Sequence, residues 1–208
     1  MPSGTVLALG LRVNQLVATN GRDGWKADIG LCNRSDMIDR ALAADLRAAT
    51  LLQGKFRLRS GQVSSTYFDK YRFEADPVLL RRVAAEMIPL LPDRTEVLAG
   101  LELGGVPIAT AISLATGIPA AFVRKKAKDY GTCLAVEGGN VRGKRVVLIE
   151  DVITTGGAVA DAARLVGEAG ANIIGVVCAI WRGDGVPIIA ALPRIPLAAA
   201  MTKDDLNS

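Results

Sequence analysis

From residue 97 onward the apolar positions fall into short continuous runs, each followed by a glycine-bearing turn and then by a helical stripe. Residues 97–100 predict a strand, 101–105 a turn, and 106–116 a helix that stops at Gly117, with the next strand at 120–123. The unit repeats as a strand over 146–149, a turn over 150–157, a helix over 158–169 that stops at Gly170, and a strand over 173–180. Strands and helices alternating at this length imply βαβ units and a parallel sheet, with ligands at the carboxyl ends of the strands. The fold class is therefore α/β, a central and mostly parallel sheet flanked by helices.

Upstream the pattern is shorter-ranged. Ser35-Asp36 reads as an N-cap ahead of Met37, Ile38, Leu42, Leu46 and Leu51 at helical spacing, and Met37 is a second candidate start of the chain. Two β-like runs, 55–59 and 66–71, flank Ser60-Gly61-Gln62. Asp76-Pro77 then caps a helical stripe over 78–91. Residues 1–34 carry scattered glycines, a lone Trp25 and no sustained period, which predicts a loosely ordered extension ahead of one domain over 35–208.

Composition narrows the chemistry. With 208 residues and 50% hydrophobic content the chain can bury one good core. A net charge of +4 is too modest for a nucleic-acid-binding tail, so any basic site is local and no nucleic-acid partner is expected. There is no histidine, which removes serine-histidine triads, histidine zinc sites and imidazole bases. Cys32, Cys133 and Cys178 lack metal-ligand or disulfide spacing, which suits a reducing cytoplasm. The apolar tail over 186–201 is broken by Pro187, Pro193, Arg194 and Pro196, and 5–13 makes a poor signal peptide, so no membrane association is expected.

The most informative segment is 146–158, an apolar strand followed at once by Glu150-Asp151, then Val152-Ile153-Thr154-Thr155-Gly156-Gly157-Ala158 opening a helix. Residues 154–158 can aim successive backbone N–H groups, two hydroxyls and a helix N-terminus at a phosphate. Glu150 and Asp151 can accept hydrogen bonds from vicinal hydroxyls and oppose positive charge developing on a sugar. An ordinary strand-to-helix turn with solvated acids is the bland alternative, and the immediate succession of all four parts weighs against it. The segment resembles the signature of the type I phosphoribosyltransferases, in which the acids hold ribose hydroxyls and the loop holds a 5-phosphate.

Four further segments carry the resemblance toward the orotate phosphoribosyltransferases. Arg124-Lys125-Lys126-Ala127-Lys128-Asp129-Tyr130-Gly131 is similar to that family's catalytic loop, Arg-Lys-x-x-Lys-x-His-Gly. On charge alone it would read as a solvated run; its place between two strands makes it a basic loop suited to closing over pyrophosphate. Tyr130 stands where the family has histidine, and it donates a hydrogen bond but carries no charge. Residues 54–69 are similar to the base-binding region, which implies that Arg59 faces pyrophosphate and that Tyr67 and Phe68 lie beside the base; for Phe56 a local core role is preferred. Leu103-Gly104 falls in the glycine turn that in this family touches pyrophosphate, and Arg182, after Trp181, stands where the family grips its base.

The resemblance implies a small N-terminal hood over about 37–75 plus the C-terminal segment, on a core of about 76–185. It implies transfer of ribose 5-phosphate from 5-phosphoribosyl 1-pyrophosphate to orotate, in de novo pyrimidine (UMP) biosynthesis. The implied phosphoribosyl pyrophosphate contacts are Arg59, Arg124, Lys125, Lys128, Tyr130 and residues 150–158, with Lys125, Lys128, Glu150 and Asp151 catalytic. Tyr67, Phe68, Thr154 and Arg182 would hold orotate. Mg²⁺ would be held mainly by substrate oxygens, and the implied assembly is a homodimer whose basic loop reaches the partner's site. A purine phosphoribosyltransferase and a non-catalytic sensor of phosphoribosyl pyrophosphate remain the alternatives.

Overall fold

The computed structural model describes residues 39–57, 61–125 and 134–207, so the predicted extension over 1–34 and Met37 lie outside the described residues. Helix α1 (Arg40–Thr50) begins at Asp39, whose side chain accepts from the Leu42 N–H at 2.9 Å. It buries Leu42, Ala43 and Leu46. Leu51, expected in this helix, instead turns extended and starts β1 (Leu51–Arg57), because its backbone pairs opposite Phe68 of β2 (Val63–Phe68). These two antiparallel strands form a small separate sheet. Tyr71, read as strand, opens the short helix α2 (Tyr71–Ala75).

Asp76 caps α3 (Pro77–Met87) through the N–H groups of Val78 and Leu79, with Pro77 in the first turn, where its missing N–H costs nothing. The predicted end at 91 overshoots, since the last turn tightens into a 3₁₀ turn over Ile88–Leu90. Arg82 of α3 pairs with both Asp39 and Asp45, tying α1 to α3.

The main sheet has six strands in the order β5-β4-β3-β6-β7-β8. Its members are β3 (Val97–Leu101), β4 (Ala120–Val123), β5 (Val136–Gly138), β6 (Arg145–Ile153), β7 (Asn172–Trp181) and β8 (Leu197–Thr202), all parallel to their neighbours except β5 against β4. Two helices complete it, α4 (Gly105–Thr116) between β3 and β4, and α5 (Gly157–Glu168) between β6 and β7. Alternation along the strands sorts the core into two layers. Leu98, Val147 and Ile149 pack with α1, α3 and α4, whereas Val97, Ala99, Val146 and Leu148 pack with α5.

Two strands had no sequence-based prediction. β5 is three residues inside a glycine-rich stretch, and β8 lies in the proline-broken tail, where pairing to β7 overrides a weak local pattern. Strand β6 also runs four residues past the predicted end, because its ladder to β7 continues to Ile153 opposite Trp181. Glu150 and Asp151 therefore lie within a strand, not in the turn.

Candidate active site

The site forms where β3 and β6 end and α4 and α5 begin. At the end of β6, Gly156 takes a left-handed conformation (φ 79°) that aims the first turn of α5 outward, and a Cβ there would also crowd Ile189 at 2.8 Å. No side chain caps α5, so its leading N–H groups remain open to an anion. Thr154 and Thr155 are exposed beside them. Residues 154–158, the candidate cradle, are one continuous piece of backbone running into α5.

A cavity of about 510 Å³ opens beside it. Glu150 and Val152 line it from β6, and Thr154 and Ala158 from the cradle. Arg124 and Lys125, just after β4, form another wall. The Lys125 N–H donates to Glu102 at 3.0 Å, and the Arg124 Nε is enclosed without a protein acceptor. Leu103 lines the cavity from the turn before α4 and is largely exposed. Lys126, Lys128 and Tyr130 lie outside the described residues, as does Arg59.

The paired acids differ in placement. Glu150 reaches the cavity, whereas Asp151 is completely buried behind it. Asp151 Oδ2 pairs with Lys70 Nζ at 2.6 Å, and Oδ1 accepts from the Val152 N–H. Glu74, one turn along α2 from Lys70, also abuts Asp151 and is buried. Gly104 closes the cluster: a Cβ there would come within 2.5 Å of Glu74 Oε1 and would strike the Asp151 carboxylate. Only glycine fits.

Three carboxyl groups thus share one ammonium. Burial, reinforced by the neighbouring Asp151, pushes Glu150 up to about 9 and Glu74 up to about 8. Asp151 goes the other way: burial works against its ionisation, but hydrogen bonds from Glu150, Glu74 and Lys70 outweigh it. Lys70 is held charged against burial by the hydrogen bond and charge of Asp151. At neutral pH the cluster carries one anion, Asp151, and not the two that adjacent acids in a sequence suggest.

The expected base-side residues are partly assembled. The Arg182 guanidinium lies 4.7 Å from the centre of the Phe68 ring, and the Arg182 N–H donates to Ile153 O, which fastens it beside the cradle. Tyr67 points from the opposite face of β2 and packs on Phe56 with ring centres 5.5 Å apart, away from Phe68. Phe56, expected in a local core, is only partly buried, and the Tyr67 ring against it is exposed. Val152 lines the cavity and Ile153 is buried.

Sequence reasoning missed Lys70, Glu74 and Glu102. Glu102 lies in the 101–105 turn but was given no role there, and Lys70 and Glu74 stand outside the motifs; their one available signal was a spacing of four residues, on one face if the segment is helical.

Comparison with known proteins agrees with this geometry. Residues 78–189 match the phosphoribosyl transferase domain model. An orotate phosphoribosyltransferase of a Nocardioides species is 57% identical over 171 residues, covering 82% of this chain and 96% of that protein. One from Halobacterium salinarum is 39% identical over 166 residues, covering 79% and 94%. The crystal structure of Mycobacterium tuberculosis orotate phosphoribosyltransferase in complex with Fe(III) dicitrate superposes with a TM-score of 0.72 at 31% identity, over 81% of this chain and 98% of that one. With the cradle, the paired acids and this degree of likeness together, the chain belongs to the orotate phosphoribosyltransferases, within the type I phosphoribosyltransferase fold.

Proposed function

We propose that the cavity binds 5-phosphoribosyl 1-pyrophosphate and that the chain transfers its ribose 5-phosphate to orotate, giving orotidine 5′-monophosphate and pyrophosphate in de novo UMP synthesis. The observation that carries this reading is the convergence on one cavity of an uncapped helix start and the cations Lys70, Arg124 and Lys125, with the buried Asp151 directly behind Lys70. The N–H groups of Gly157 and Ala158, with the Thr154 and Thr155 hydroxyls, take the 5-phosphate. The neutral Glu150 carboxyl exchanges hydrogen bonds with the ribose hydroxyls.

The bond from the anomeric carbon to pyrophosphate breaks as the bond to the orotate nitrogen forms, through a cation-like sugar. Asp151, buried and ionised, opposes that positive charge in a low-dielectric setting. Arg124, Lys125 and Lys70, together with Arg59, Lys128 and Tyr130 from the sequence motifs, stabilise the departing pyrophosphate. Leu103 and Gly104 present backbone to it. Arg182, stacked on Phe68, pairs with the carboxylate of orotate, which favours an acidic pyrimidine over adenine or guanine. Tyr67 completes the hood side.

Among the described residues no three acidic, histidine or cysteine side chains converge on a point that suits a metal. Mg²⁺ would be held by oxygen donors of the polyphosphate and ribose and would supply charge neutralisation there. Widely spaced cysteines, with Cys178 buried in β7, fit a cytoplasmic enzyme. We read the assembly as a homodimer with shared sites. Lys128→Ala and Arg182→Ala, each inactive alone, should recover part of the activity when mixed and refolded, because one site then receives both intact elements; no recovery, with heterodimers present, overturns shared sites.

The reaction is tested by loss of orotate absorbance with phosphoribosyl pyrophosphate and Mg²⁺, against adenine, guanine and uracil. Turnover of orotate alone is expected. Turnover of a purine, or none, overturns the reading.

A further inference from the structure

The α2 segment has no part in any phosphate or base motif, yet it supplies two of the three side chains that touch Asp151. Lys70 stands at its start and Glu74 one turn later, so both reach the same carboxylate from one side. Glu74 is buried, and its Oε1 finds no protein donor. The Gly104 backbone leaves no room for it to swing toward the turn before α4. Two carboxyl groups in contact and out of water are stable only if a proton lies between them.

We propose that Glu74 is a positioning residue for the transfer reaction, donating a hydrogen bond as a neutral acid to Asp151 and so fixing the one anion of the site in place. Lys70 alone cannot do this. Its ammonium lies at the cavity wall, half-exposed, where an arriving pyrophosphate competes for it. When Lys70 turns toward that new anion, the Glu74 hydrogen bond and the Val152 N–H keep Asp151 oriented and ionised. Glu74 thereby frees Lys70 to serve two anions in succession. The inference rests on the phosphoribosyl-transfer reading of the cavity.

The groups facing Glu74 are Lys70 and Asp69 from its own segment and Asp151 from β6, with Glu150 reached through Asp151. Burial and Asp151 hold the Glu74 proton up to about pH 8, so loss of that proton on the alkaline side places two anions in contact. Turnover of the wild type should fall there.

The test is a set of pH profiles of kcat and KM for orotate turnover by the full chain, with melting temperatures, for wild type, Glu74→Gln and Glu74→Ala. Glu74→Gln keeps a donor that cannot ionise. It should hold kcat within about twofold at neutral pH and carry its activity further into the alkaline range, leaving only a limb set by Glu150. Glu74→Ala should lose kcat by about tenfold or more, with a smaller change in KM, because Asp151 loses its fixed position. An alkaline limb identical in wild type and Glu74→Gln overturns the proposal, as does full kcat in Glu74→Ala. If Glu74→Ala fails to fold, the Gln profile decides alone. Absence of orotate turnover by the wild type instead overturns the reaction, a result that the variants do not confuse with failure of the Glu74 role.

Discussion

The cradle and the acid cluster are adjacent in sequence and built in opposite ways. The cradle is contiguous backbone: a left-handed Gly156, two exposed threonines and an uncapped helix start, all within residues 154–158. The acid cluster is assembled from three places, with Lys70 and Glu74 from α2, Gly104 from the turn before α4, and Glu150 and Asp151 from β6. One needs only correct local conformation. The other needs the whole fold, because three buried carboxyl groups tolerate one another only with an ammonium and shared protons.

The sharpest way to separate the two is Asp151→Asn, which keeps shape and removes the single anion. Turnover should fall about 10²- to 10³-fold, as for loss of a preorganised electrostatic group, while affinity for inorganic phosphate at the cradle stays near wild type. Phosphate binding measured by calorimetry checks the contrast; parallel loss of both would show that cradle and cluster act as one.

Gly104→Ala tests the cluster from the backbone side. Its methyl would press on the Asp151 carboxylate and Glu74 Oε1, so overpacking of about 1–3 kcal/mol is expected, read as a lower urea midpoint, together with reduced kcat. Unchanged stability and rate would mean that the cluster has slack. Arg182→Lys should act more narrowly, raising KM for orotate about tenfold through loss of paired hydrogen bonds while KM for phosphoribosyl pyrophosphate stays put. An equal rise in both would move Arg182 out of the base pocket.

The smallest effect is on stability against pH. Glu74 and Glu150 have folded-state values of about 8 and about 9 against 4.5 for a free glutamate. Between those limits the unfolded chain gives up protons that the folded chain retains. Their contribution is therefore complete below 4.5 and is lost as pH rises through 8 and 9. The melting temperature should decline over that window, and less steeply in Glu74→Gln. Identical slopes would contradict the protonated assignment.

Sequence by itself determined the βαβ order, the glycine turn into α5 and the Asp76 cap, because each depends on periodicity or on residues adjacent along the chain. It also marked Phe68 and Arg182 through their resemblance to a known pattern, though not that the guanidinium stacks on that ring. It did not show that Tyr67 packs on Phe56, since neighbours along a strand face opposite ways and only pairing with β1 decides which side meets Phe56. It also treated Glu150 and Asp151 as equivalent anions. Only the tertiary structure buried Asp151 completely, brought α2 against it and left the two acids in different protonation states, because the cost of an isolated buried charge depends on neighbours that the fold, and not the chain order, supplies.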